Sequence, residues 1–340
     1  MGILLKKGQG FMFTGIAKLG LVAFIASFAS ALINTVWAIY IDSFVHSIVI
    51  VGIVSAFLTF IAFSSYFIFI PLVEKYDKAR IFFYSIAFAI PLYILVALAK
   101  NFYVFLFLAF FITVLFTLRI TSFGIIIKDR SKKGQLAKNE GLLYSFMNFS
   151  WVIAPLAAGY IASVSGISFV FLLSALFLLF CLFVFKTARI KDGHMKKKLD
   201  TNMKSNFIDF FKNKDRIFAY ILGGGVVIWF TLIYLFMPLF IIREGLSKLW
   251  VGYFLFAVSI PLIFTEYKFS NLASKHGFKR MFIIGFLFTG AVAFICFFVS
   301  NIYLLLALLV IASFGMAMVE PTIEAYFFDI LKKSEASRFY

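Results

Sequence analysis

Ten long apolar runs constrain this chain more than any other feature, at about 14–41, 47–73, 81–99, 102–127, 140–164, 167–185, 217–242, 249–269, 281–299 and 302–328. Each suffices to cross about 30 Å of hydrocarbon as a helix, which takes roughly 20 residues. In hydrocarbon the backbone polar groups must be satisfied internally, so only helices and closed barrels span. Barrel strands are about ten residues long with alternating polarity, and these runs have neither property. All six prolines (Pro71, Pro91, Pro155, Pro238, Pro261 and Pro321) fall inside the runs or at their ends. Bundled membrane helices tolerate them there because neighbours re-satisfy the freed carbonyls. Charged residues make up 14% of the chain, against about 25% in soluble domains. The expected fold class is an all-α polytopic membrane protein.

A formal net charge of +17 would suit nucleic acid, but the placement of the cations argues against that partner. They concentrate in alternate loops, Lys6–Lys7, Lys75–Arg80, Lys128–Lys138, Lys186–Arg216, Lys268–Arg280 and Lys332–Arg338, while the other loops hold Lys100, Arg243 and Lys248. This is the positive-inside pattern, which puts the N-terminus in the cytoplasm, the protein in the cytoplasmic membrane and the basic loops against anionic lipid heads. Cys181 and Cys296 lie in apolar runs without ligand-like spacing, so no disulfide, metal or cofactor is expected. The segment ASFASA ending at Ala31 resembles a signal-cleavage site. The apolar run continues to Ile41, so the first helix is expected to be retained.

The chain also repeats itself with an offset of 200 residues. Leu72, Lys75, Arg80 and Phe82 align with Leu272, Lys275, Arg280 and Phe282; Ser47, Val51 and Gly52 with Ser247, Val251 and Gly252. Asn101 and Tyr103 match Asn301 and Tyr303, and Asp129, Lys132 and Lys133 match Asp329, Lys332 and Lys333. Loop landmarks and polar residues thus share one register. An even number of spans per unit makes the halves parallel repeats about an axis along the membrane normal.

With this organisation the sequence resembles the major facilitator superfamily over essentially its whole length. The family's loop signature, Gly-x-x-x-Asp-Arg-x-Gly-Arg-Arg, is similar to two stretches here. In the first, Glu74 takes the acidic place, Lys75 the basic one and Lys78 the later arginine, followed by Arg80, with Ile70 and Asp77 replacing the glycines. In the second, Lys275, Gly277, Lys279 and Arg280 fit, with Ser274 in place of the acid. The fifth span carries Ser150, Ala154, Pro155, Ala158 and Gly159, which resembles the family's Gly-x-x-x-Gly-Pro-x-x-Gly-Gly with small residues for three glycines.

The resemblance implies a bundle over 1–186, a basic linker over 187–216 and a second bundle over 217–340 with four spans. Counterparts of the fifth and sixth spans would occupy about 340–385, so the last two of twelve helices are expected to be missing. In the linker, Met203, Phe207, Phe210 and Phe211 have the spacing of a short surface-lying helix. The resemblance further implies a charge relay through Glu74, Lys78 and Asp129, in which the acid meets a helix N-terminus.

Ionised groups in a bilayer interior cost at least about 2.5–3.5 kcal/mol and are functional candidates by default. Arg119 lies ten residues before Asp129 in the fourth span, about 15 Å from its end. Glu320 and Glu324 share a helix face in the tenth span, and Glu266 lies near the inner end of the eighth. Arg119 opposite Glu320 or Glu324 is expected as an inner gate or proton-coupling pair, and Asp42 with Arg243 as its outer counterpart. A static ion pair, or solvated helix ends for Asp42 and Arg243, is the alternative. Asn34 and Asn148 are the substrate-cavity candidates, among nearby Trp37, Tyr40, Trp151, Trp229 and Tyr234. His46, His194 and His276 fall in loops.

Intramembrane enzyme motifs such as Asp-Asp-x-x-Asp, His-Glu-x-x-His and Gly-x-Ser-x-Gly are absent from the sequence, which does not favour an enzyme. The resemblance implies a secondary active transporter that moves a small molecule by alternating access. The glutamates suggest proton coupling, since a carboxyl in low dielectric can exchange a proton near neutral pH, and the fifth-span motif suggests efflux. Uptake of a metabolite and a non-transporting membrane scaffold are the alternatives.

Overall fold

A computed structural model describes residues 15–130, 136–188 and 203–331, and every regular element among them is helical. The first half holds α1 (Gly15–Val45), α2 (Ile48–Lys75), α3 (Lys78–Leu98), α4 (Phe102–Arg130), α5 (Leu136–Val164) and α6 (Ile167–Thr187). A short α7 (Met203–Phe210) follows. The second half holds α8 (Lys214–Thr231), a π turn (Leu232–Phe236), α9 (Met237–Arg243), α10 (Lys248–His276), α11 (Phe278–Cys296) and α12 (Ile302–Ile330). With α8 through α9 running on as one span, ten helices of the described residues are long and apolar enough to cross a membrane. The chain is an integral membrane protein.

Local chemistry sets the helix starts, and it repeats between the halves. Asn101 Oδ1 accepts from the backbone N–H of Val104 at 3.3 Å, and Asn301 Oδ1 from that of Leu304 at 3.1 Å. Such caps satisfy N–H groups that have no partner within the helix. The loop between α2 and α3 is capped by Asp77, whose Oδ1 accepts from Arg80 N–H at 3.0 Å. Its counterpart between α10 and α11 turns instead at Gly277, with φ of 90°, a conformation open mainly to glycine. Asp77 has φ of −65°, so that place needs no glycine.

Pro238 shapes the seventh span. It cannot donate to the Tyr234 carbonyl, and its ring crowds that group. The backbone widens just before it, so that Met237 N–H reaches the Leu232 carbonyl across a π turn.

Two apolar cores form, one drawn mainly from α1–α6 and one from α8–α12. In the first, α1 packs on α5 and α6, α3 on α4 and α6, and α2 on α4; in the second, α12 packs on α8, α10 and α11. The pairs α2–α4 and α3–α4 thus recur as α10–α12 and α11–α12. Polar groups tie helices together inside the first bundle. The Tyr40 hydroxyl donates to the Val96 carbonyl at 2.5 Å, and the Ser150 hydroxyl to the Phe24 carbonyl at 2.8 Å. In the second bundle the Thr289 hydroxyl donates to the Ala312 carbonyl at 3.1 Å. Large side chains such as Phe60, Phe88, Phe107 and Phe264 point outward, where lipid receives them.

The linker helix α7 is docked as well as exposed. Phe210 packs near Tyr220 of α8 and Phe327 of α12, and Phe207 reaches Phe67 of α2. Arg216 Nη2 and Nε donate to the carbonyls of Asp209 and Phe210 at 2.8 and 3.2 Å, which caps its C-terminal end. The second half begins at Lys214, three residues before the expected 217, and α10 runs seven residues past the expected 269.

The α11–α12 crossing gives a direct stability test. A Cβ on Gly315 would fall 2.5 Å from the Gly285 carbonyl oxygen, whereas one on Gly290 would meet nothing within 4 Å. Gly315→Val is expected to destabilise by about 1–3 kcal/mol, lowering the midpoint of thermal unfolding in detergent. Gly290→Ala should leave it unchanged or slightly raised.

Candidate functional site

The named contacts between the two bundles lie toward the end opposite the basic loops. Here α5 and α10 come close enough for backbone contact. A Cβ on Gly252 would sit 2.5 Å from the Pro155 carbonyl oxygen and 3.2 Å from Gly159 Cα. Ala154 and Ala158, the other small residues of the fifth-span motif, are fully buried. Next to this seam Trp151 of α5 meets Tyr234 of the π turn edge-on, centroids 5.9 Å apart. Ile39 of α1 packs into the second core and Leu239 of α9 into the first. At the rim Arg243 Nη2 donates to Asp42 Oδ1 at 3.0 Å, with the side chains 41% and 20% exposed. Pairs this open to solvent contribute about 0.2–1 kcal/mol, enough to bias an equilibrium and too little to lock it.

The other expected pair, Arg119 with Glu320 or Glu324, is not seen as an ion pair among the described residues, and the Glu324 side chain lies outside them. Arg119 is 6% exposed inside the first bundle. Its Nη2 donates to Ser30 Oγ of α1 at 2.6 Å, and its guanidinium lies 5.0 Å from the Phe116 ring centroid. Tyr93 of α3 and Cys181 of α6 are within its electrostatic reach. No described ion pair joins it to Glu320, which lies in the second bundle instead. There Glu320 borders a cavity of about 40 Å³ with Trp229, Phe230, Tyr234, Ser259 and Ser313, and its Oε2 is buried. Tyr234 and Ser259 line the same cavity, and the Tyr234 hydroxyl is within electrostatic reach of Glu320. The separation has a simple cause: Arg119 turns toward its own α1, and Glu320 toward α8 and α10.

Asn34 and Asn148 are both half-buried, but they stand at different depths. Ser150 bonds to Phe24, and a Cβ on Gly20 would touch Phe146, so α5 runs beside α1 with an offset of 126 residues. That register sets Asn148 level with residue 22, twelve residues below Asn34, or about 18 Å. One compact site cannot use both. Tyr40 and Trp37 belong to the aromatic core of the first bundle, against Phe105 and Phe171.

On the basic face, Lys78 is buried at the start of α3, while Lys75, Arg80, Lys275, Lys279 and Arg280 are exposed. The side chains of Glu74, Asp129, Glu266, Ser274 and Glu324 lie outside the described residues, and with them the charge relay, as do Lys132, Lys133 and His194. The sequence reading missed Ser30, Ser259 and Ser313. A serine in an apolar span carries little signal, since most, like Ser259, bond back to their own helix.

A family model described as Major Facilitator Superfamily matches residues 19–340. Among solved structures, a bacterial homolog of the human lysosomal transporter Spinster, inward-facing and unoccupied, superposes with TM-score 0.73 at 14% identity, covering 96% of this chain and 77% of that one. A peptide transporter POT in complex with sulfate gives TM-score 0.67 at 16% identity, covering 97% and 86%. A POT family transporter in complex with 5-aminolevulinic acid gives 0.67 at 13%, covering 97% and 87%. Likeness at such identities is likeness of fold. No curated protein matches the sequence.

The α5–α10 seam generates a prediction. Gly252→Leu should force the two helices apart at Pro155 and Gly159, so a thiol placed at Ile39, 6% exposed, becomes several-fold more reactive to a water-soluble maleimide. Gly124→Leu, in open space, should leave that reactivity unchanged. Equal labelling in both would show that the seam does not seal this end.

Proposed function

The chain belongs to the major facilitator superfamily, and on that premise we propose that it is a secondary active transporter moving a small molecule across the cytoplasmic membrane by alternating access. The observation that carries the proposal is a seal at one end of the bundle interface: the Gly159–Gly252 crossing, Ile39 and Leu239, and the Asp42–Arg243 pair. In this reading the basic face is cytoplasmic, and the conformation is closed outward and open inward. The likeness to an inward-facing Spinster homolog supports it. Transport rocks the bundles about the central path, so the seam must open when the inner ends close.

Asp42 and Arg243 serve as the outer latch. Glu320, with Tyr234 and Ser259 beside it, is the proposed proton carrier of a proton-coupled efflux cycle. Lipid and substrate are its expected partners, and the basic loops rest on anionic heads. That no described ion pair joins Arg119 to Glu320 fits an open inner path, with closure bringing the two walls nearer.

A test needs no known substrate. Spin labels at Lys75 and Lys275 report the inner face, and labels at His46 and Glu244 the outer one. In liposomes each pair should give two distance populations that change in opposite directions when the pH rises from about 5 to about 8, and Glu320→Gln should remove that response. A single fixed distance at both faces would end the transporter reading. A response that survives Glu320→Gln would remove Glu320 from coupling.

A further inference from the structure

The cavity beside Glu320 carries an inference about the opposite bundle. Moved back by 200 positions, its lining residues Phe230, Tyr234, Ser313 and Met316 become Ser30, Asn34, Thr113 and Phe116. The register holds in space, since α4 and α12 start at 102 and 302 and end at 130 and 330. Two of these twins already touch Arg119: Ser30 accepts its hydrogen bond, and Phe116 lies under its guanidinium. Asn34 stands one helical turn beyond Ser30 on the same face of α1. All four twins are half-buried, so this wall is reachable from the central path while Arg119 itself is buried.

A guanidinium carries five N–H donors and stays charged. Among the described residues its hydrogen-bond acceptor is a neutral hydroxyl, whose own proton goes to the Ala26 carbonyl at 3.0 Å. The described carboxylates of the first bundle are Asp42, bonded to Arg243, and Asp77, bonded to Arg80, both at helix ends. A buried cation in a membrane interior calls for an anion. We propose that Arg119, Ser30 and Asn34 form a subsite for an oxyanion, the carboxylate or phosphate group of the transported molecule. The guanidinium fork takes two oxygens in parallel, the Asn34 amide donates to a third contact, and Ser30 holds the fork in place. Calling that ligand a substrate rests on the transporter reading; the binding itself does not.

The experiment is equilibrium binding to the purified full chain in neutral detergent, read as a shift in thermal unfolding. Acetate, succinate and inorganic phosphate are titrated at constant ionic strength, with acetamide and chloride as controls. At least one oxyanion should give a saturable rise that acetamide and chloride lack. Arg119→Gln should abolish it, Arg119→Lys should weaken binding about tenfold by losing the fork, and Asn34→Ala several-fold. Lys100→Gln, an exposed cation elsewhere, should not change it. No response to any oxyanion, or an equal response in Arg119→Gln, overturns the proposal. Should Arg119→Gln fail to fold, Asn34→Ala decides, since its side chain is half-exposed. A shift given only by phosphatidylglycerol in nanodiscs, with none from the soluble anions, assigns the site to lipid and overturns the substrate role. Saturable binding together with fixed inter-bundle distances would sink the transporter reading and leave the subsite standing.

Discussion

Helices immersed in lipid gain nothing by hiding apolar surface from one another, because lipid tails are as apolar as leucine; they cohere through close packing and hydrogen bonds. That constraint decides where this chain keeps its small residues. Gly315 meets Gly285 and Thr289 where α12 crosses α11, and Gly159 meets Gly252 where α5 crosses α10. The first contact is internal to a bundle and backed by the Thr289–Ala312 hydrogen bond. The second joins one bundle to the other through backbone alone. Glycine against glycine offers close approach with no interlocking side chains at the crossing itself, toward the end opposite the basic loops.

The polar contacts divide in the same way. Within the first bundle the Tyr40 and Ser150 hydroxyls reach carbonyls of neighbouring helices in buried surroundings, where losing a partner leaves a costly orphan group. Between bundles the strongest polar contact is a half-exposed ion pair, Asp42 with Arg243, which water can take over at little cost. Contacts within a bundle are thus costly to break, whereas the Asp42–Arg243 contact between bundles is cheap to break.

Much of this architecture was legible in the sequence because its signals are one-dimensional. Length and apolarity mark the spans, and the 200-residue register marks the doubling. Facing was not legible. A helix that is apolar all round has no polar side to orient it, so nothing in the linear pattern said that Arg119 turns to Ser30 or that Glu320 turns to Tyr234. The depth of Asn148 relative to Asn34 was hidden for the same reason, since it depends on how α5 slides along α1. The π turn left one trace, Pro238 four residues after Tyr234.

That π turn bears on how the two halves of a doubled unit meet. A π turn holds about one residue more than an α turn, so the register of the seventh span slips from 200 to 201 beyond it, and Arg243 takes the place of Asp42. Equivalent positions of two halves face each other near a pseudo-twofold axis, where like charges would repel and opposite charges attract. Asp42 and Arg243 are close enough to bond. Arg119 and Glu320 are also separated by 201 positions, with no π turn inside α4 or α12, which start at 102 and 302. They are therefore neighbours of equivalent positions, and the single-residue difference rotates them about 100° apart on their helices. One points into its own bundle and the other toward a cavity. Opposite charges or ionisable groups at near-equivalent sites thus pair at the rim and stand apart, each in its own bundle, deeper in.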